Sequence, residues 1–136
     1  MKKLFISCPM KGRTEENIKK SMKQMHKIAE IIFDQKLEVI PTYINDNPPE
    51  NAKQAVWYLG KSIQLLADAD YFIGVEWCDF YKGCEVERTV ANRYGIPSTY
   101  INIHQMMPDA IEVIRKAEEE LWAKETCSPE LIKTDI

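Results

Sequence analysis

Several things are missing from this sequence, and each absence removes a class of function. No apolar run approaches the ~20 residues that a membrane-spanning helix needs. No surplus of positive charge is present: 18 basic residues stand against 21 acidic ones, a formal net charge of −3. That balance argues against a protein held to duplex nucleic acid by phosphate contacts, but not against one small phosphorylated ligand. The four cysteines (Cys8, Cys78, Cys84, Cys127) form no C-x-x-C pair and have no histidine at ligand spacing. Idle thiols and no metal are therefore expected. No G-x-x-x-x-G-K-[ST] loop occurs, so ATP chemistry has no motif behind it and no cofactor is expected. The opening Lys2-Lys3-Leu4-Phe5-Ile6 starts like a signal peptide, yet breaks at Ser7 and Pro9 without a cleavage-like segment. A cytoplasmic protein without membrane attachment is the expectation.

What remains is an ordinary globular composition, 45% apolar and 29% charged over 136 residues, enough for one domain with a proper core. No internal repeat or second domain is evident. Residues 1–125 read as a single domain and 126–136 as a tail without pattern.

Residues 4–8 form a short apolar run ended by Pro9, which fits a buried first strand. Thr14 offers an N-cap side chain, with Glu15 and Glu16 in the first helical turn. Ile18, Met22, Met25, Ile28, Ala29, Ile32 and Phe33 then recur at helical spacing and predict one buried stripe. A second strand is expected over 37–40, a helix over 51–67 weakened by Gly60, and a central third strand over 71–75. A further helix opens at Gly83, with Val86, Val90, Ala91 and Tyr94 as its inward face and Gly95 as its left-handed C-cap. A fourth strand over 98–103 and a helix over 109–123 with Pro108 at N1 complete the pattern.

Alternation of strands and helices predicts an α/β fold: a parallel sheet of four to five strands with helices on both faces. In such sheets a ligand sits beyond the C-terminal strand ends, where strand order reverses. The loops 8–14, 41–50 and 76–83 should meet there. Within the first, Lys11 and Arg13 lie beside a helix N-terminus, either as an anion seat or as two solvated cations in a tight turn. Within the third, Trp77, Phe80 and Tyr81 are placed either to stack on a base or to pack against another subunit. His26 and His104 read as satisfied or solvated. Glu87 falls near the start of the Gly83 helix, where the dipole would hold a carboxylate ionised and nucleophilic. Its i+3 and i+4 neighbours, Val90 and Ala91, turn it inward, while Glu85 lies about 200° away around the helix. First-turn acids also occur simply as favourable electrostatics.

Three segments, in order, carry a resemblance. Phe5-Ile6-Ser7-Cys8-Pro9-Met10-Lys11-Gly12 is similar to the "YISGPM-x-G" opening of the nucleoside 2-deoxyribosyltransferase superfamily. Ala69-Asp70-Tyr71-Phe72-Ile73 is similar to its "AD" and central strand. Gly83-Cys84-Glu85-Val86-Glu87, then Ala91 and Gly95-Ile96-Pro97, is similar to "G-A-x-x-E…A…G-I-P". The chain thus resembles the small bacterial and phage branch of that superfamily. The resemblance implies a flavodoxin/Rossmann-like fold, a homo-oligomer, and a small nucleoside or nucleotide as substrate. It further implies N-glycosidic cleavage or deoxyribosyl transfer, with Glu87 as the nucleophile that attacks C1′. Phe5, Ser7, Met10, Lys11, Gly12, Ser62, Trp77, Tyr81 and Gly83 would line the substrate, Lys11 favouring a monophosphate. The chain departs from the family pattern at Ser62, where an aspartate is usual, and at Tyr81, where a serine or aspartate is usual. Cys8 replaces a glycine and Phe5 a tyrosine. Asp46, Glu76 and Asp79 are the acids near enough in sequence to protonate a leaving base. A non-catalytic nucleotide-binding module and an NAD glycohydrolase are the competing readings.

Overall fold

A computed structural model describes residues 1–42, 44, 46–76 and 79–126. Its elements run β1 (Lys2–Ile6), α1 (Glu15–Ile32), β2 (Leu37–Val39), α2 (Gln54–Leu66), β3 (Tyr71–Val75), α3 (Lys82–Arg93), β4 (Ser98–Ile101), α4 (Ile103–Met106) and α5 (Pro108–Thr126). The four strands pair in parallel in the order β2-β1-β3-β4. This is a Rossmann/flavodoxin-like α/β sheet. The chain reverses its direction of travel across the sheet between β1 and β3, so the switch point lies at their C-terminal ends.

Alternation along the strands divides the core into two layers. Leu4, Ile6, Ile73 and Val75 join Met25 and Ala29 of α1 and Ala110 of α5 on one face. Phe5 and Phe72 point the other way and meet Leu66 of α2 and Ala91 of α3. The Phe5 and Phe72 rings are near-parallel, with centroids 5.9 Å apart. Helices therefore cover both faces, and each layer excludes water from a fully buried set of side chains.

The first helix begins as its sequence dictates: the Thr14 hydroxyl accepts from the Asn17 amide at 3.1 Å. Its predicted stripe needs one correction, because Ile32 is 58% exposed. Phe33 closes that end instead, its ring 4.3 Å from that of Tyr71. In α3 the inward face is Cys84, Glu87 and Ala91, with Val90 half-buried. Val86 and Tyr94, expected inside, face out, Tyr94 at 82% exposure. The rotation is set by Ala91, the small residue that seats the helix on Phe5 and Phe72. Asn102 caps the short α4, accepting from the His104 amide at 2.9 Å.

Two glycines are demanded by geometry. Gly95 (φ +74°) ends α3 in the left-handed conformation, and the Ile96 amide returns to Ala91 O at 2.9 Å. Gly12 (φ +77°) sits so close to α5 that a Cβ there would lie 2.6 Å from Val113 Cγ1. Among the described residues no helix is long and apolar enough to cross a membrane.

Candidate functional site

The first ladder ends at Ser7, whose amide donates to Ile73 O at 2.9 Å and so fixes it at the C-terminal end of β1. Its hydroxyl donates to Glu87 Oε1 at 2.8 Å in a buried bond. From the opposite side, the Ser62 hydroxyl of α2 donates to Glu87 Oε2 at 2.5 Å. Both carboxylate oxygens are thus held by neutral donors from two other elements, at the sheet's switch point.

The placement follows from the core below it. Ser7 lies two residues beyond Phe5 on β1, Ser62 four before Leu66 on α2, and Glu87 four before Ala91 on α3. Phe5, Leu66 and Ala91 share one buried cluster. One structural repeat further up each element, the three polar residues must converge as well.

Glu87 is 9% exposed. Burial raises its carboxyl above the ordinary glutamate range, against the opposing pull of the Ser62 and Ser7 hydrogen bonds. This corrects the expectation of a dipole-held carboxylate. The helix starts at Lys82, which makes Glu87 its sixth residue and leaves Glu85 as the acid of the first turn. The helix terminus falls off within one turn, so desolvation and the two serines govern Glu87 instead.

The remaining predicted residues form a second group. The Tyr81 hydroxyl donates to Lys11 O at 3.1 Å, tying the loop after β3 to the first loop. The Lys11 ammonium lies 5.4 Å from the Phe80 ring centroid. Lys11, Gly12 and Phe80 line a cavity of about 580 Å³ against Asp109, Val113 and Lys116 of α5, which does not include Glu87. A second cavity of about 410 Å³, lined by Arg88, Arg93 and Tyr100 among others, excludes Glu87 too. Apart from both hollows, the end of β1, α2 and α3 converge on the buried Glu87 carboxyl group. Phe5 lies fully buried beneath Ser7, and Met10 is largely exposed. Gly83 stands at the start of α3 with open space where a Cβ would be. Trp77 lies outside the described residues.

Arg13 is no part of an anion seat. Its guanidinium, 1% exposed, makes a paired contact with Asp109 (Nε–Oδ2 2.6 Å, Nη2–Oδ1 3.1 Å). It also donates to Ser21 Oγ at 2.7 Å and Pro9 O at 2.9 Å. Sequence reasoning missed this clamp; the pairing spans 96 positions and leaves no local signal. Cys8 is buried, which pushes its thiol up to about 11 despite the nearby Arg13, so it is no nucleophile at neutral pH. His26 Nε2 lies 2.9 Å from Leu37 O, a satisfied histidine. Of the acids considered for protonation, Asp46 pairs with Lys61 at 3.5 Å. Among the described residues no group of three or more His, Cys, Asp or Glu is arranged to hold a metal.

Compared with known proteins, the chain matches no family model, no curated protein and no solved structure.

Proposed function

We propose that the chain cleaves or transfers the N-glycosidic bond of a nucleoside or nucleotide, with Glu87 as nucleophile. The observation that carries this reading is the buried Glu87 carboxylate, with Ser7 on one oxygen and Ser62 on the other. Two fixed donors orient the carboxylate plane while leaving each oxygen a free lone pair. Glu87 attacks C1′, the C1′–N bond breaks through an oxocarbenium-like transition state, and its electron pair departs with the base. A glycosyl ester remains on Glu87. A second base or water then attacks C1′, the ester electron pair returns to the carboxylate, and the proton lost by the attacking group balances the one taken up from solvent by the departed base. The resemblance of the opening loop, the "AD" strand and the Gly83–Glu87 segment to the 2-deoxyribosyltransferases supports the same assignment. Base release measured by chromatography over a panel of nucleosides and monophosphates, for wild type and Glu87→Gln, tests it. Undiminished release by a folded Glu87→Gln protein would reject it.

One observation favours a non-catalytic nucleotide-binding module instead. The Tyr81 hydroxyl is spent on Lys11 O, where a sugar or phosphate ligand is expected. Under that reading a nucleotide raises the melting temperature but no base is ever released.

The same reading includes a homo-oligomer, supported by exposed Val56 and Tyr58 on α2 and Leu121 and Trp122 on α5. Light scattering that reports only monomer contradicts this. It also includes a cytoplasmic setting, supported by the free, buried thiol of Cys8.

A further inference from the structure

Among the described residues, no cation stands against the Glu87 carboxyl group. Among the described residues it enters no ion pair with lysine, arginine or histidine, and both of its hydrogen-bond donors are neutral hydroxyls. Four cations on surrounding elements have contacts other than Glu87. On α2, Lys61 turns to Asp46 at 3.5 Å and to the Trp57 ring at 5.2 Å. On α3, Arg88 donates to Glu76 O at 2.5 Å. In the first loop, Arg13 is held by Asp109 and Lys11 lies over Phe80. The other acid of α3 near the site, Glu85, lies off its inward face.

We infer that the leaving group cleaved at Glu87 is already cationic in the ground state, as in a pyridinium N-glycoside or an N7-alkylated purine nucleoside. This inference rests on Glu87 being the nucleophile. A buried carboxylate without a cation is costly, and a positive base bonded to C1′ supplies the missing charge within a few ångströms. The upward direction of the Glu87 shift, caused first by burial, agrees with a carboxyl group whose charged form lacks a charge partner. A cationic base also suits the two serines, whose hydroxyls both donate their hydrogen bonds to Glu87 and not to a leaving base. When Glu87 bonds to C1′ and the C1′–N bond breaks, its electron pair neutralises the departing nitrogen, so the base leaves without taking up a proton. Water then attacks C1′, the C1′–O bond to Glu87 breaks with its pair returning to the carboxylate, and the water proton passes to solvent.

Matched pairs of compounds test this. N7-methyl-2′-deoxyguanosine is compared with 2′-deoxyguanosine, and oxidised nicotinamide mononucleotide with its reduced form, whose dihydropyridine ring carries no charge. For each, base release by the wild-type chain is divided by the uncatalysed rate of the same compound, which removes intrinsic lability. The expected result is an enhancement at least about 10-fold larger for a cationic member, equivalent to ~1.4 kcal/mol. Which of the two pairs responds distinguishes purine from pyridinium. Calorimetry adds a second readout: the affinity of the cationic member falls about 10-fold or more in Glu87→Gln, while that of its neutral partner changes less than about 2-fold. Equal or larger enhancement for the neutral members overturns the inference while leaving Glu87 as nucleophile. Absence of base release from every compound overturns both.

Discussion

Ser62 Oγ and Glu87 Oε2 lie 2.5 Å apart although 25 residues separate them in sequence. The contact joins α2 to α3 above Leu66 and Ala91, so the polar site and the apolar layer beneath it are built by the same packing. An aspartate at position 62 would set a second charge against Glu87; a serine instead donates a hydrogen bond to it. Both donors of the clamp are therefore electrically neutral, and the consequences of that neutrality can be measured.

Removing either serine should act on the ionisation of Glu87. Each hydrogen bond to the carboxylate contributes about 1.5–3 kcal/mol. Both bonds lower its pKa, so Ser62→Ala and Ser7→Ala each move the acid limb of kcat/KM to higher pH. In wild type that limb is expected above the ordinary 4.5 of glutamate, because burial raises the Glu87 carboxyl. A pH–rate profile in both variants checks this; an unmoved limb shows that the serines do not hold the reactive carboxylate.

Stability should run opposite to activity with pH. A carboxyl whose folded pKa is raised binds its proton more tightly in the native state than in the unfolded chain. Its favourable contribution is thus complete below about 4.5 and is lost as pH rises through the folded value. Glu87→Gln, which cannot ionise, should melt higher than wild type at pH 7, and the gap should shrink below pH 4.5. Thermal melts at the two pH values measure it.

Arg13 and Asp109 should behave conversely. The Arg13 hydrogen bond holds the Asp109 carboxyl below the usual aspartate range of 3.8. The stabilisation is therefore present above that range and lost as pH falls through the lower folded value. Asp109→Ala strands a buried guanidinium and should cost about 2–3 kcal/mol, toward the low side for a buried pair because Asp109 is partly exposed. Urea unfolding at pH 7 reads the loss, which should narrow at strongly acidic pH.

The glycines separate structural from functional demand. Gly12→Ala imposes a left-handed conformation on alanine and a clash with Val113, and should cost about 1–3 kcal/mol. Val113→Ala in the same chain relieves the clash but not the backbone strain, so rescue should be partial. Gly83→Ala meets only open space within a helix and should stabilise by about 0.5–1 kcal/mol. If Gly83→Ala melts higher yet loses base release, the space above it belongs to the substrate.

Much of this architecture was legible because periodicity is local. The run of strands and helices, the Thr14 cap and the Gly95 terminus all follow from neighbouring residues. The four-residue α4 is too short to show a period. The rotation of α3 escaped because counting apolar residues weights Val86 and Tyr94 with Ala91, whereas packing favours the small one. The neighbours of Glu87 at i+3 and i+4 turn it inward, but its environment is that of the second helical turn and not of the first. Ser62 stood out only as a departure from a family pattern. Its role as a donor to Glu87 depends on how α2 meets α3, and no spacing within either helix encodes that. Arg13 looked like a ligand cation for the same reason, since its partner Asp109 lies on the far side of the chain.

The central claim is a covalent bond between Glu87 and C1′. Incubation with a 2′-fluoro-arabinosyl nucleoside that slows release of the ester, followed by peptide mass spectrometry, looks for that bond directly. The account predicts one added fluoro-sugar on the peptide containing Glu87, absent from Glu87→Gln. Steady base release with no adduct there, or an adduct on another residue, would contradict it.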